Sequence, residues 1–478
     1  MKGLRKYLTP FAPDQSGAES VLYDLGGMVV ILDAGGCTGN ICGFDEPRWS
    51  TMRSAVFSAG LRDMDAIFGR DKLLVEKTAS AAEKIRAEFI AIIGTPVPSV
   101  IGTDYKAVKR MLEKRVDVPV LTVETNGMRL YDRGAQDAYM ALFSAFAREK
   151  AGTEESQAGR TGPEEGQVGS NEDRGCPNES ESSPNESKAC PDEGRNDFEE
   201  RQDNPKGGRI GVLGADPLDL PAGEKSARLL REALEEEGAE PLLYGSGAPL
   251  SAYRDAFLNR KNIVVSPSGM KAALFLQKKY GTPFEACYPG AGKVLELAVE
   301  KAESRRGQGS TQKSSQGSAP ERAQAGNLEN IQKSAQSGPL ENGLGSVQAG
   351  APEKVQGTSQ AGPQEEGRKS SIKKAIEKAE KILVVQQQVL GNSLREELEK
   401  RSPKAEIRVA SWFSMLPGLA REGDLSLKEE DDFIRLVQEE KFNLVLGDEV
   451  LLKMMRGWDG AFLPITQFAL SGKKEAGQ

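Results

Sequence analysis

The sequence predicts an α/β fold of three Rossmann-like parallel-sheet domains, and three observations predict it. Short apolar runs bounded by Gly, Pro and Asn alternate with longer amphipathic stretches throughout the 478-residue chain. The apolar runs, such as Met28-Val29-Val30-Ile31-Leu32 and Ile382-Leu383-Val384-Val385, are continuous rather than alternating, as strands covered on both faces require. Two low-complexity stretches interrupt this rhythm and divide the chain into three blocks.

The first block, 1–150, is expected to form an α/β domain with strands at 27–33, 88–93 and 118–123 and helices at 72–87 and 104–115. Residues 151–207 form an acidic insertion whose only large apolar side chains are Val168 and Phe198, so no core forms there and disorder is expected. A duplicated pentamer (Cys176-Pro177-Asn178-Glu179-Ser180, then Cys190-Pro191-Asp192-Glu193-Gly194) accounts for two cysteines, which are discounted as ligands. The second block, 208–302, opens on strand 209–213, continues through helix 224–237 and strand 262–265, and reaches helix 269–280. Residues 303–370 repeat Gln-Ala-Gly or Gln-Ser-Gly every twelve positions, at Gln324, Gln336, Gln348 and Gln360. Each unit lacks an apolar face to stack, so this stretch too reads as a disordered surface insertion. The third block, 371–478, carries strands 381–385, 406–409 and 442–446 and helix 392–400.

Composition narrows the chemistry. The net charge of −8 is concentrated in the first insertion, where fifteen acidic residues face six basic ones. The rest is nearly neutral, which argues against nucleic acid or an anionic membrane surface as partners. The basic start Met1-Lys2-Gly3-Leu4-Arg5-Lys6 lacks a secretory apolar core and no apolar run is long enough to span a bilayer, so a cytoplasmic location is expected. Five irregularly spaced cysteines fit reduced thiols or metal ligands better than a disulfide framework. Histidine is absent. Imidazole acid–base chemistry and imidazole metal sites are thereby excluded, leaving sulfur, carboxylate and backbone as ligands.

The stretch richest in chemical content is Asp33-Ala34-Gly35-Gly36-Cys37-Thr38-Gly39-Asn40-Ile41-Cys42-Gly43, directly after the first strand. Its glycines permit a tight turn, and two thiols at such a loop suit an iron–sulfur centre, although small buried side chains are the plainer reading. In parallel sheets ligands bind beyond the carboxyl ends of the strands. Gly35, Gly36, Gly39, Thr95, Asn126 and Ser266 fall in those loops and are the expected cofactor-lining residues, with Cys37 and Cys42 as metal ligands. Asp33 fits a turn-capping role better than a proton donor, and Cys287 fits a core thiol better than a ligand. Pro289-Gly290-Ala291-Gly292-Lys293-Val294 lacks the Ser or Thr of a phosphate loop, so this chain is not expected to bind ATP.

Five segments follow one another along the chain: Ala18 to Cys37; Ser54 to Leu73, with Leu61-Arg62-Asp63-Met64-Asp65-Ala66-Ile67-Phe68-Gly69; Ile93 to Asp104; Leu121 to Gly134; and Asn262 to Pro289, with Tyr280-Gly281-Thr282-Pro283. In this order they resemble the component 1 family of nitrogenases. That family embraces molybdenum–iron protein subunits, cofactor-assembly scaffolds and dark-operative protochlorophyllide reductase subunits. The resemblance covers essentially the whole chain outside the insertions. It implies that Cys37 takes the place of a ligand to a bridging cluster. It also departs from the family: other ligand positions fall at about Phe11 and at Pro96, and the position anchoring the molybdenum cofactor falls near Ser266. A molybdenum cofactor and reduction of dinitrogen are therefore not expected. What the resemblance implies instead is an oxidoreductase subunit carrying an iron–sulfur cluster of the [4Fe–4S] type, with two of its four thiolates supplied by a second subunit in a homodimer or heterodimer. Electrons would come from a separate ATP-dependent iron protein, and the substrate is unassigned, as is any catalytic side chain. An assembly scaffold for a cluster or tetrapyrrole, without turnover of its own, and a metal-free ligand-binding protein are the alternatives.

Overall fold

Parallel β-structure dominates, as the continuous apolar runs require. The structure is a computed structural model and describes residues 5–69, 71–149, 208–221, 224–309 and 372–472. The described residues fall in two units, one of Pro13–Pro217 and Ala227–Ala286 and one of Met1–Ala12, Leu218–Ser226 and Cys287–Gln478.

The first unit contains two sheets. The first is made of β1 (Met28–Ile31), β2 (Ala55–Ser58), β3 (Ile90–Ile93) and β4 (Val120–Val123), in the order β2-β1-β3-β4. All its pairs are parallel; Val29 lies beside Val56 on one side and Ala91 on the other. The second sheet is made of β5 (Arg209–Leu213), β6 (Glu240–Leu243), β7 (Lys261–Val264) and β8 (Phe284–Ala286), in the order β6-β5-β7-β8, again parallel. In both, the strand order reverses beside the first strand, which opens a crevice at its carboxyl end. One apolar core joins the two sheets through residues such as Val29, Ile93, Phe143, Tyr253 and Leu276. Helix α1 (Asp14–Leu22) is entirely buried despite its polar sequence. It crosses the helix Tyr131–Phe146 so closely that a Cβ on Gly17 would lie inside the Tyr131 carbonyl, and one on Gly134 inside that of Asp14. Only glycine permits that approach.

The second unit holds one parallel sheet of β9 (Lys381–Val385), β10 (Glu406–Ser411), β11 (Leu425–Ser426), β12 (Leu444–Gly447) and β13 (Ala461–Pro464), ordered β11-β10-β9-β12-β13. The helix Ala291–Gly309 packs against β13 and against the helix Gln388–Arg401. That helix continues into the stretch expected to be disordered from residue 303, because Glu300-Lys301-Ala302-Glu303 prolongs a run of good helix formers. Residues 151–207 and 310–370 lie outside the described residues. No described helix is long and apolar enough to cross a membrane.

Candidate cofactor site

The loop after β1 is shaped by one backbone requirement. Gly35 takes φ +112°, a conformation only glycine adopts comfortably, and turns the chain into a short helix, α2 (Gly36–Asn40). Five residues of π-helix follow, Ile41–Asp45, a local distortion that recurs at functional sites. The Asp33 carboxylate, wholly buried, holds the turn together. One oxygen accepts the Thr38 N–H at 2.7 Å and the other the Ser58 hydroxyl at 2.5 Å. Asp33 is thus a turn cap, as the sequence favoured.

Cys37 is half-buried and Cys42 buried, and both are free thiols. The Cys37 thiol is raised by burial and then by the Asp33 carboxylate, offset in part by a hydrogen bond with Thr95. Thr95 itself is fully buried after β3, and its hydroxyl donates to the Leu32 carbonyl at 2.6 Å. Cys37, Asp33 and Thr95 therefore share the crevice between β1 and β3. Beside them, Gly36 and Gly39 have no other atom within 4 Å of where a Cβ would stand, so the outer side of the loop is open.

Cys42 faces a different environment. Burial, followed by Glu19, Glu46 and Asp33, pushes its thiol up to about 12. Arg48 lies at the centre of this acidic group: its Nε donates to Glu46 at 2.7 Å, and Nη2 donates to Glu46 at 2.9 Å and to the Ser20 carbonyl at 2.5 Å. Asp24 lies 3.8 Å from Nη1. Burial opposes the Arg48 charge, but the hydrogen bonds and charge of Glu46 prevail and its pKa is raised. The Glu19 carboxyl, from α1, has neither oxygen hydrogen-bonded. Burial first, and then Glu46, raise its pKa well above the ordinary value despite Arg48. Sequence reasoning missed this group; its only sequence signal is the density of acidic and polar residues on α1.

The other expected lining residues stand apart. Asn126 follows β4, where its side chain accepts the Met128 N–H at 2.9 Å and its own N–H donates to the buried Asp14 carboxylate at 3.1 Å. Arg129, in the same connection, is paired with Asp14 and Asp137, each at 2.9 Å. Ser266 lies on the other sheet after β7, fully buried, with its hydroxyl 2.6 Å from that of Ser268.

A surface feature accompanies the loop. Each of the four connections leaving the carboxyl ends of the first sheet exposes large apolar side chains: Phe44 after β1, Ile67 and Phe68 after β2, Val100 after β3 and Met128 after β4. Val100 and Met128 are 85% and 84% exposed. As to a metal, no group of three or more Cys, Asp or Glu among the described residues could hold an ion. Cys37 is half-buried beside Asp33 and Thr95, whereas Cys42 is buried beside Glu19 and Glu46.

Comparison with solved structures gives a likeness of fold. One described as "Nitrogenase Cp1 at pH 6.5" is 9% identical, covers 98% of this chain and 87% of that chain, and has a TM-score of 0.55. Another, "Nitrogenase Cp1 at pH 5", is 12% identical over 97% of this chain and 84% of that one, with a TM-score of 0.52. No curated protein matches the sequence. The family model described as nitrogenase component 1 type oxidoreductase matches residues 15–289, more than half the chain and the whole span from α1 to the end of the second sheet. The chain therefore belongs to the nitrogenase component 1 type oxidoreductase family.

Proposed function

We propose that the protein is an iron–sulfur oxidoreductase subunit in which Cys37 and Cys42 each supply a thiolate to a cluster completed by a second subunit. The observation that carries this reading is the loop after β1. It places one half-exposed and one buried thiol on consecutive turns, beside glycines that leave their outer side open. The exposed apolar residues on the four neighbouring connections favour a second chain packed against the same end of the sheet. A cluster held there would supply one-electron chemistry at low potential.

What the chain's own residues contribute can be stated residue by residue. Asp33 fixes the loop by binding Thr38 and Ser58. Thr95 supports Cys37, and the Glu46–Arg48 pair with Glu19 surrounds Cys42. Both thiols favour their protonated forms without a ligand, so metal binding must displace protons from them. Electrons are proposed to arrive from a separate ATP-driven iron protein in the cytoplasm, and the reduced substrate is one other than dinitrogen, since neither cysteine nor histidine is available at the position of Ser266.

Anaerobic purification with iron and sulfide analysis tests the reading. One [4Fe–4S] cluster shared by two chains corresponds to about two iron atoms per chain, with a broad visible absorption lost on reduction. Cys37→Ala and Cys42→Ala are each expected to lower the iron content severalfold while leaving the chain folded. Colourless, folded, iron-free protein from strictly anaerobic cells overturns the proposal, as does iron that survives both substitutions. Separately, iron loading is expected to weaken as pH falls from 8 to 6, because protons compete for the thiols.

A further inference from the structure

A cavity of about 240 Å³ lies beyond the carboxyl ends of β1 and β2, apart from the two thiols. Leu32 is almost completely buried and forms its floor, with Leu61, Leu74 and Ile101 as apolar walls. Three of its lining residues are glycines in the left-handed region: Gly60 at φ +62°, Gly69 at φ +64° and Gly102 at φ +71°. At each of them the place of a missing Cβ has no atom within 4 Å, so three connections turn away and leave the opening clear. Asp65, Asp71 and Asp104 also line it, against Lys77 as the only cation among the described lining residues. Asp65 and Asp71 are half-buried like Leu61 and Leu74, Asp104 and Lys77 are exposed, and only Leu32 lies fully inside.

We propose that this cavity binds a small amphipathic cation, an aryl- or alkylamine whose apolar body enters between Leu61, Leu74 and Ile101 while its ammonium stays among the aspartates. The volume sets the size of the ligand. A dry cavity of about 150 Å³ accommodates benzene, so this one suits a body of about ten non-hydrogen atoms. Three carboxylates against one ammonium among the described lining residues set the sign of the charge, and the aliphatic side chains exclude ligands polar throughout. Asp65 and Asp104 each accept a backbone N–H with one oxygen, from Arg62 and Ala107 respectively, which holds their carboxylates in place.

The test uses the full chain and phenethylamine, with 2-phenylethanol as the neutral analogue and 3-phenylpropionate as the anionic one, followed by calorimetry and thermal melting. The amine is expected to bind saturably and about tenfold more tightly than the alcohol, a difference of about 1.4 kcal/mol. The propionate is expected not to bind. Ala66→Phe, at an exposed lining position, should fill the space and abolish amine binding. Asp71→Lys should reduce amine affinity at least several-fold without touching the apolar wall. Equal binding of the three compounds, or no binding of any, overturns the proposal. So does amine binding unaffected by Asp71→Lys, a change at a half-buried position that decides the matter even if Ala66→Phe fails to fold.

Discussion

Glu19 is a carboxyl group sealed inside the fold, with neither oxygen hydrogen-bonded and with Glu46 and Asp24 nearby. Burial and those neighbours favour its protonated form over the single guanidinium of Arg48. Its folded-state pKa is raised, so its contribution to stability is full below the ordinary carboxyl value of 4.5 and is lost as pH rises above it. Glu19→Gln keeps the shape and removes the ionisable proton. The variant is expected to melt higher than the parent at pH 8, with the difference shrinking towards pH 4.5; thermal denaturation across pH measures it. The opposite case is Asp33, whose two hydrogen bonds hold the loop after β1. Asp33→Ala should cost about 1–3 kcal/mol in chemical denaturation, because the Thr38 N–H and the Ser58 hydroxyl both lose their acceptor and the buried carboxylate that ties the loop is gone. At this scale the sequence was legible for the turn at Gly35 and its cap Asp33, since a buried strand followed by glycines dictates a tight turn there. It was silent on Glu19, Glu46 and Arg48, because separate segments form that group and nothing local marks their meeting.

Among elements, α1 is the one whose sequence least resembles its environment. Asp14-Gln15-Ser16-Gly17-Ala18-Glu19-Ser20 reads as a surface loop, yet every residue of the helix is buried. Two glycines explain this: Gly17 and Gly134 let two backbones meet, and the small side chains around them then fit inside. Gly17→Ala or Gly134→Ala should force the helices apart and destabilise the protein by more than about 3 kcal/mol, visible as a lower denaturation midpoint. The central strands β1, β3, β5 and β9 were legible because their apolar runs are unbroken. The edge strands β2, β6, β8, β11 and β13 were not, since strands as short and partly exposed as Ala55–Ser58 and Phe284–Ala286 resemble ordinary loop. A different element-scale device holds the N-terminal segment. The backbone N–H groups of Lys6, Tyr7 and Leu8 all donate to the Glu430 carboxylate, at 2.8, 2.8 and 2.6 Å. Burial opposes the charge of Glu430, but those three bonds and Arg5 outweigh it and lower its pKa. Its contribution is therefore present above the ordinary value of 4.5 and lost as pH falls through the depressed one. Glu430→Gln should speed hydrogen exchange at residues 6–8 at pH 7, and acidification of the parent should produce the same loosening.

For the whole molecule, the exposed apolar residues at one end of the first sheet have the widest consequence. If a second subunit covers them, Val100→Asp combined with Met128→Asp should shift the protein to monomers in light scattering and lower its iron content together with its mass. Monomers that keep their iron would separate the two halves of the functional proposal. The three-sheet plan was readable from the alternation of strand and helix, whereas the grouping of the first two sheets around one core was not. That grouping depends on aromatic contacts such as Phe143 with Tyr253, at 5.0 Å between ring centres, which join residues far apart in the chain.

Neither unit is one continuous piece of polypeptide. The one containing β9–β13 takes in residues 1–12 and 218–226 as well as 287–478, so any fragment beginning at Cys287 leaves behind two strips of its own body. Splitting the gene at that point should yield insoluble halves, whereas mixing a nicked chain's pieces should restore them. The ribosome, too, must deliver the final sheet before the first dozen residues have anywhere to settle.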